Sequence, residues 1–268
     1  MKLSVEQRAR VLDHIQERMA SCVPWSPNTR WAPELNIVGS SYPSLNLFPE
    51  LRVSSGSPGG LGPGAFVDSS SGKFRYLVRH HPVGKRLETW WGHDIGDVLF
   101  DAGIQIPMLF ERAGQQRDGS PGVWPPHPWM SITPAEMITL RPGTRLARGK
   151  VVIGGLGLAY QLLAVAKQRL VREIVLVERS HELCDLILPR VLPAIRKKIT
   201  VLIGDVFQVL PTLSADVALL DTFPTYGDNR SATDALAKKC PRIKKMWGWG
   251  AYDGDPMGTQ PAGRRPRR

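Results

Sequence analysis

The sequence predicts an α/β fold, a mostly parallel sheet of about five strands preceded by a small β-rich unit. Three observations carry this. From residue 131 onward, short apolar runs alternate with segments of helical periodicity, the pattern of strands joined through crossover helices. The first of those runs ends in glycines and the next three end in acids, Glu178, Asp205 and Asp221. With 42% hydrophobic and 22% charged residues in 268, the chain can bury a globular core, in one large domain or two modest ones.

Taken in order, residues 4–21 read as an amphipathic helix, with Ser4 and Gln7 as a capping box and Val5, Ala9, Leu12, Ile15 and Met19 on one face. Residues 54–73 are crowded with Gly, Ser and Pro and read as a flexible loop. Runs 74–78 and 87–91 flank a turn signal and predict one hairpin; runs 97–100 and 104–110 predict a second. Residues 121–128 form a linker stiffened by Pro125-Pro126, which closes an N-terminal unit over 1–130. Thr133-Pro134 opens a helix over 135–140 that ends at Arg141-Pro142-Gly143. Strands lie at 151–153, 174–177, 200–203, 217–220 and 243–249, with helices over 159–170, 180–188 and 231–239; Pro189 and Pro193 break or kink the chain beyond residue 188. The Rossmann-like domain spans 131–250, and 251–268 is a basic tail with Arg264, Arg265, Arg267 and Arg268.

Several function classes are excluded or disfavoured. No run reaches the ~18 consecutive apolar residues of a membrane helix, and Met1–Cys22 carries charge throughout, so neither membrane insertion nor a secretory leader is expected and cytoplasm is the expected compartment. Cys22, Cys184 and Cys240 form no CxxC pair, and His80-His81 and His93-Asp94 lack further ligands at metal spacing, so no metal is expected. No Walker lysine follows the glycines and no G-x-S-x-G element occurs. The net charge of +11 favours acidic partners, nucleic acid among them.

In a parallel sheet of this kind, ligands bind at the carboxyl ends of the strands. The run from Val151 to Ala159 passes from a strand into a helix through Gly154, Gly155 and Gly157. A dinucleotide fingerprint G-x-G-x-x-G would put its third glycine on Tyr160, which obstructs that reading; the pattern G-x-G-x-G puts Ala159 in its last place. Glu178 ends the second strand, where a carboxylate accepts hydrogen bonds from a ribose diol. Asp205, with Val206 and Phe207 beside it, suits an adenine, the acid accepting from the exocyclic amine and the apolar side chains packing on the ring. Asp221 ends the fourth strand, and Phe223, Pro224 and Tyr226 after it are candidates to stack on a planar substrate.

The run Gly154–Ala159 with Glu178, Gly204-Asp205 and Asp221 resembles the class I S-adenosylmethionine-dependent methyltransferases, over about residues 131–250. The resemblance implies S-adenosyl-L-methionine as cofactor, with Gly154, Gly155, Gly157 and Ala159 along its methionine and ribose portion, Glu178 on the ribose hydroxyls, and Asp205 and Val206 at the adenine. It implies Asp221 as the catalytic residue, facing the methyl acceptor, an N or O nucleophile that it would orient or deprotonate, or else the cofactor amino group. Ser131-Ile132-Thr133-Pro134 is similar to the segment that touches the methionine part in some members. Ile153 stands where many members carry an acid, and Val152-Ile153-Gly154-Gly155, like Asp101-Ala102-Gly103-Ile104-Gln105, is similar to the spermidine synthase branch. The polyamine-recognising segments of that branch are not visible, and Asp221-Thr222-Phe223-Pro224 lacks its second aspartate. An aminopropyltransferase-like enzyme using decarboxylated cofactor, and a non-catalytic scaffold binding nucleic acid through its charge, stay open beside the methyltransferase.

Overall fold

The structure, a computed structural model, describes residues 46–83, 98–100, 102–114, 120–223 and 229–251, with Glu6 and Val23–Pro24. The rest of helix 4–21, run 87–91, Pro224, Tyr226 and the tail from 252 lie outside the described residues.

The N-terminal part is a four-stranded antiparallel sheet. β1 (Val23–Pro24) stands apart, parallel to β4 (Val98–Leu99). β2 (Phe66–Asp68), β3 (Phe74–His81), β5 (Ile104–Glu111) and β6 (Met130–Ser131) form the sheet in the order β2-β3-β5-β6. Val98–Leu99 therefore does not pair with 104–110 as a second hairpin. β5 pairs instead with β3 along its whole length, from Phe74 opposite Glu111 to His81 opposite Ile104. Two long strands satisfy far more backbone groups that way than a two-residue partner allows. Within 54–73 lies β2, held by Arg75. Arg75 is buried, donates to both Asp68 carboxylate oxygens at 2.7 Å and to the Pro58 carbonyl, and stacks between Phe66 and Trp124.

The second part is a five-stranded parallel sheet of β7 (Gly149–Gly154), β8 (Val171–Glu178), β9 (Lys198–Ile203), β10 (Val217–Leu220) and β11 (Met246–Gly248), in the order β11-β10-β7-β8-β9. The order reverses between β7 and β10, which makes their carboxyl ends the topological switch point. β10 is buried throughout and β7 and β8 are buried through their last four residues, as strands covered on both faces must be. Alternate residues separate two cores. Val151, Ile153, Ile174, Leu176, Val217 and Leu219 face α1 (Pro134–Leu146), α2 (Tyr160–Ala166) and α3 (His181–Val191), in a core that continues into the antiparallel sheet. Val152, Val175, Val177, Ala218 and Leu220 face α4 (Val206–Val209) and α5 (Arg230–Lys239).

Thr133 caps α1, accepting from the Glu136 N–H at 3.4 Å, and Pro134 takes the first helical position. The helix does not stop at residue 140 but continues through Pro142 and Gly143 to Leu146. Packing is the reason. A Cβ on Gly143 would stand 2.5 Å from Trp247 Cε3, so the missing side chain admits the indole of β11, and Trp249 Nε1 donates to Thr139 Oγ1 at 3.0 Å one turn earlier. α2 ends at Ala166, four residues short of 170, where Lys167 opens the turn into β8. α3 runs through Pro189 to Val191 before a 3-10 turn over Leu192–Ala194.

Candidate functional site

The site forms where β7, β8 and β10 end. Backbone hydrogen bonds carry the sheet past the last strand residues: Asp221 N–H to Gly154 O, Gly155 N–H to Val177 O and Gly204 N–H to Glu178 O, each at 2.9 Å. The four segments that the sequence marks are thus brought to one rim.

The turn after β7 holds three alternate residues in the left-handed region, Gly155 (φ +93°), Gly157 (φ +49°) and Ala159 (φ +60°). A Cβ on Gly155 would collide with the Asp221 carbonyl, so glycine is required there sterically as well as conformationally; one on Gly157 would meet the flexible end of Met130, and its positive φ is what favours glycine. Ala159 adopts the backbone that a glycine takes freely, which marks it as the third member of the pattern. Gly154 closes β7 against Val206, whose Cγ2 would lie 2.8 Å from a Cβ there.

Glu178 fixes this turn from β8. It is 6% exposed; Oε2 accepts from the Leu156 N–H at 2.9 Å and Oε1 from the Ser180 N–H at 2.8 Å. Each oxygen keeps a second lone pair, so the carboxylate can still accept from a ligand hydroxyl. Asp205 is exposed and caps α4, accepting from the Phe207 N–H at 2.8 Å. Val206 is buried beneath it, while Phe207 is 42% exposed and meets Phe223 edge-on at 6.4 Å between centroids.

Asp221 lies beside an acid that the sequence reading missed. Glu136, in the first turn of α1, is pushed well above the carboxylate range by burial and by the Asp221 charge; burial pushes Asp221 up to about 7. Two carboxyl groups that share one desolvated place hold a proton between them near neutrality. The pattern Thr133-x-x-Glu136 reads as a capping box, which hides the residue in sequence. The Thr133 N–H bonds to Ser131 O at 3.1 Å. Met130 was missed too: its Sδ accepts from the Leu158 N–H at 3.1 Å, against the glycine turn. Gln161, second residue of α2, is buried, and its side-chain nitrogen and oxygen have no hydrogen-bond partner among the described residues.

A cleft of about 370 Å³ opens beside Glu178, between the two sheets, lined by Phe74, Glu111, Trp129, Arg179, His181 and Glu182 among others. Trp129 leaves 46% of its surface exposed there. The Ser69 and Ser71 hydroxyls donate to Glu182 at 2.8 and 2.7 Å, lower its pKa and tie the antiparallel sheet to α3. Burial pushes the Cys184 thiol up to about 12, which suits a core residue and not a nucleophile. Among the described residues no three side chains gather as metal ligands, and no helix is long and apolar enough to cross a membrane.

No protein-family model matches the chain, and no curated protein matches it. Solved structures similar to it include spermidine synthase from Thermotoga maritima (14% identity over 68% of this chain and 60% of that one, TM-score 0.34). They also include precorrin 8W decarboxylase from Methanobacterium thermoautotrophicum (17%, 42% and 59%, 0.32) and a protein-L-isoaspartate O-methyltransferase (20%, 37% and 31%, 0.29). The chain spans less than two thirds of the length of each.

Proposed function

We propose that the chain binds S-adenosyl-L-methionine across the carboxyl end of the parallel sheet and transfers its methyl group to a nitrogen or oxygen nucleophile. The observation that carries this reading is the turn Gly155–Ala159: three alternate left-handed residues, the first without room for a Cβ against the Asp221 backbone, held by a buried glutamate.

The residues present fit that cofactor. Glu178 and Asp205 lie on this rim, and their carboxyl groups favour a cationic nucleoside over the pyrophosphate of a dinucleotide. Gly154, Gly155, Gly157 and Ala159 would admit its backbone-facing portion, Glu178 would accept the ribose hydroxyls, and Asp205 with Val206 and Phe207 would hold the adenine. Gln161 brings a buried amide with hydrogen-bonding capacity to spare at the same turn. When bound, the sulfonium supplies an activated methyl group, so the protein must add alignment of the nucleophile. Asp221, in the pair with Glu136, orients the acceptor and takes the proton that the N–H or O–H gives up.

Calorimetric titration of S-adenosylmethionine tests the reading. Saturable binding is expected, weakened at least tenfold in Asp205→Ala and kept within a few fold in Asp221→Asn, whose turnover with a labelled methyl donor is lost. A folded protein that binds no cofactor ends it. Glu178 and Asp205 on this rim also suit a second reading, transfer of an aminopropyl group from decarboxylated cofactor, which carries no carboxylate of its own. Tighter binding of the decarboxylated form in the same titration would select that reading.

A further inference from the structure

The opposite end of the parallel sheet carries the reverse charge. In register across the five strands, the residues that open them run Lys198 on β9, Glu173 on β8, Lys150 on β7, Asp216 before β10 and Lys244 before β11. Lys150 and Lys198 each stand 3.8 Å from Glu173; Lys244 stands 2.7 Å and Arg172 3.8 Å from Asp216. Hydrogen bonds from Lys244 and the Lys150 N–H, and the cations beside it, lower the Asp216 pKa. Both acids of this row are therefore saturated by neighbouring cations.

The loops that enter the strands add more positive charge and no further acid. Arg148 precedes β7, Arg169 lies in the turn into β8, Arg196 precedes β9 and Lys245 precedes β11. All four are exposed, and none has a carboxylate partner among the described residues. Arg172, Lys198 and Lys244 keep 74–80% of their side-chain surface open despite their ion pairs. With strands about 4.8 Å apart, the five-strand row is about 19 Å long. A nucleic-acid duplex carries a phosphate per strand about every 3.4 Å of its axis, and because the strands wind round that axis a row of this length faces the few phosphates that turn toward it. The lysines of the row are fixed to the sheet end, and the arginines sit in the short loops that enter it rather than in the tail, so both keep a defined place for a backbone to register on.

We propose that this amino-end rim is a docking surface for the phosphate backbone of a nucleic acid, separate from the cofactor rim at the other end of the strands. It reads charge and spacing, not sequence. It stands whether or not the cofactor reading does, because it uses none of the same residues.

The test is fluorescence anisotropy of a labelled 20-base-pair DNA duplex and a labelled 20-nucleotide RNA with the full chain, titrated from 50 to 200 mM salt. Binding is expected to weaken steeply with salt. The triple variant Arg148→Gln/Arg169→Gln/Arg196→Gln should flatten the slope of log K against log salt by about 2–3, near 0.9 for each phosphate no longer neutralised. It should also weaken binding at least tenfold at 100 mM while its melting temperature stays within about 2 °C of the parent. Because the tail is basic as well, Arg264→Gln/Arg265→Gln/Arg267→Gln is measured beside it. Loss confined to the tail variant, binding insensitive to salt, no binding to either probe, or preference for phosphatidylserine vesicles over both probes would each overturn the proposal.

Discussion

Asp221 shows how burial of one carboxyl group ties its proton affinity to the stability of the fold. Its ordinary pKa is 3.8, and burial raises it to about 7 in the folded chain; Glu136 beside it is raised as well. As pH climbs from about 4, the unfolded chain releases these protons first while the folded chain keeps them. The unfolded state then binds fewer protons, so stability falls with rising pH, and the share due to Asp221 levels off above about 7. Asn at 221 removes that decline at one of the two sites. Asp221→Asn is therefore expected to melt on the order of 10 °C higher than the parent at pH 8 and within about 1 °C of it at pH 3, at roughly 2–4 °C per kcal/mol for a chain of this size. Thermal melts at both pH values check this, and an equal shift at both would show that the carboxyl is not perturbed. A gain in stability on removing the acid is the pattern that a desolvated carboxyl group predicts.

At the scale of elements, the glycine turn, the acids at the strand ends and the five-strand parallel sheet are legible in the sequence, because each depends on local residue chemistry. The features that are not legible depend on partners distant in sequence. Proline and glycine at 142–143 spell a helix end, yet α1 continues because Trp247, about a hundred positions later, fills the space that Gly143 leaves. Residues 54–73 spell a loop, yet β2 forms because Arg75 clamps Asp68 and Pro58. Glu136 looks like a cap and only the fold sets it beside Asp221. The α1 case can be tested. Alanine favours a helix interior over glycine by about 1 kcal/mol, but its Cβ would stand 2.5–2.8 Å from three indole carbons of Trp247. Gly143→Ala is therefore expected to cost about 1–3 kcal/mol net, read from denaturant midpoints. Pairing it with Trp247→Leu should recover part of the loss, since residues in contact are coupled. A stabilised Gly143→Ala would mean that α1 and β11 do not meet closely at this position.

At the scale of the whole molecule, the parallel sheet separates charge along its strands. The carboxyl ends gather Glu136, Glu178, Asp205 and Asp221, and the amino ends carry the lysine and arginine rim around Glu173 and Asp216. A six-residue strand such as β7 is about 20 Å long at ~3.3 Å per residue, more than twice the Debye length of about 8 Å at physiological salt. The two rims should therefore titrate and bind as separate electrostatic units. A nucleic acid held at the amino end would act as an anchor, leaving the acidic rim to a small cationic ligand, and neither function would need the other's side chains. The consequence is measurable in a single protein: the Arg148→Gln/Arg169→Gln/Arg196→Gln variant should bind S-adenosylmethionine within twofold of the parent at 150 mM salt, and the duplex probe should not alter that affinity. A cofactor affinity that moves tenfold in the variant, or on adding the duplex, would show that the two ends are coupled through the sheet, since screening at that salt leaves the direct Coulomb route too weak to produce it.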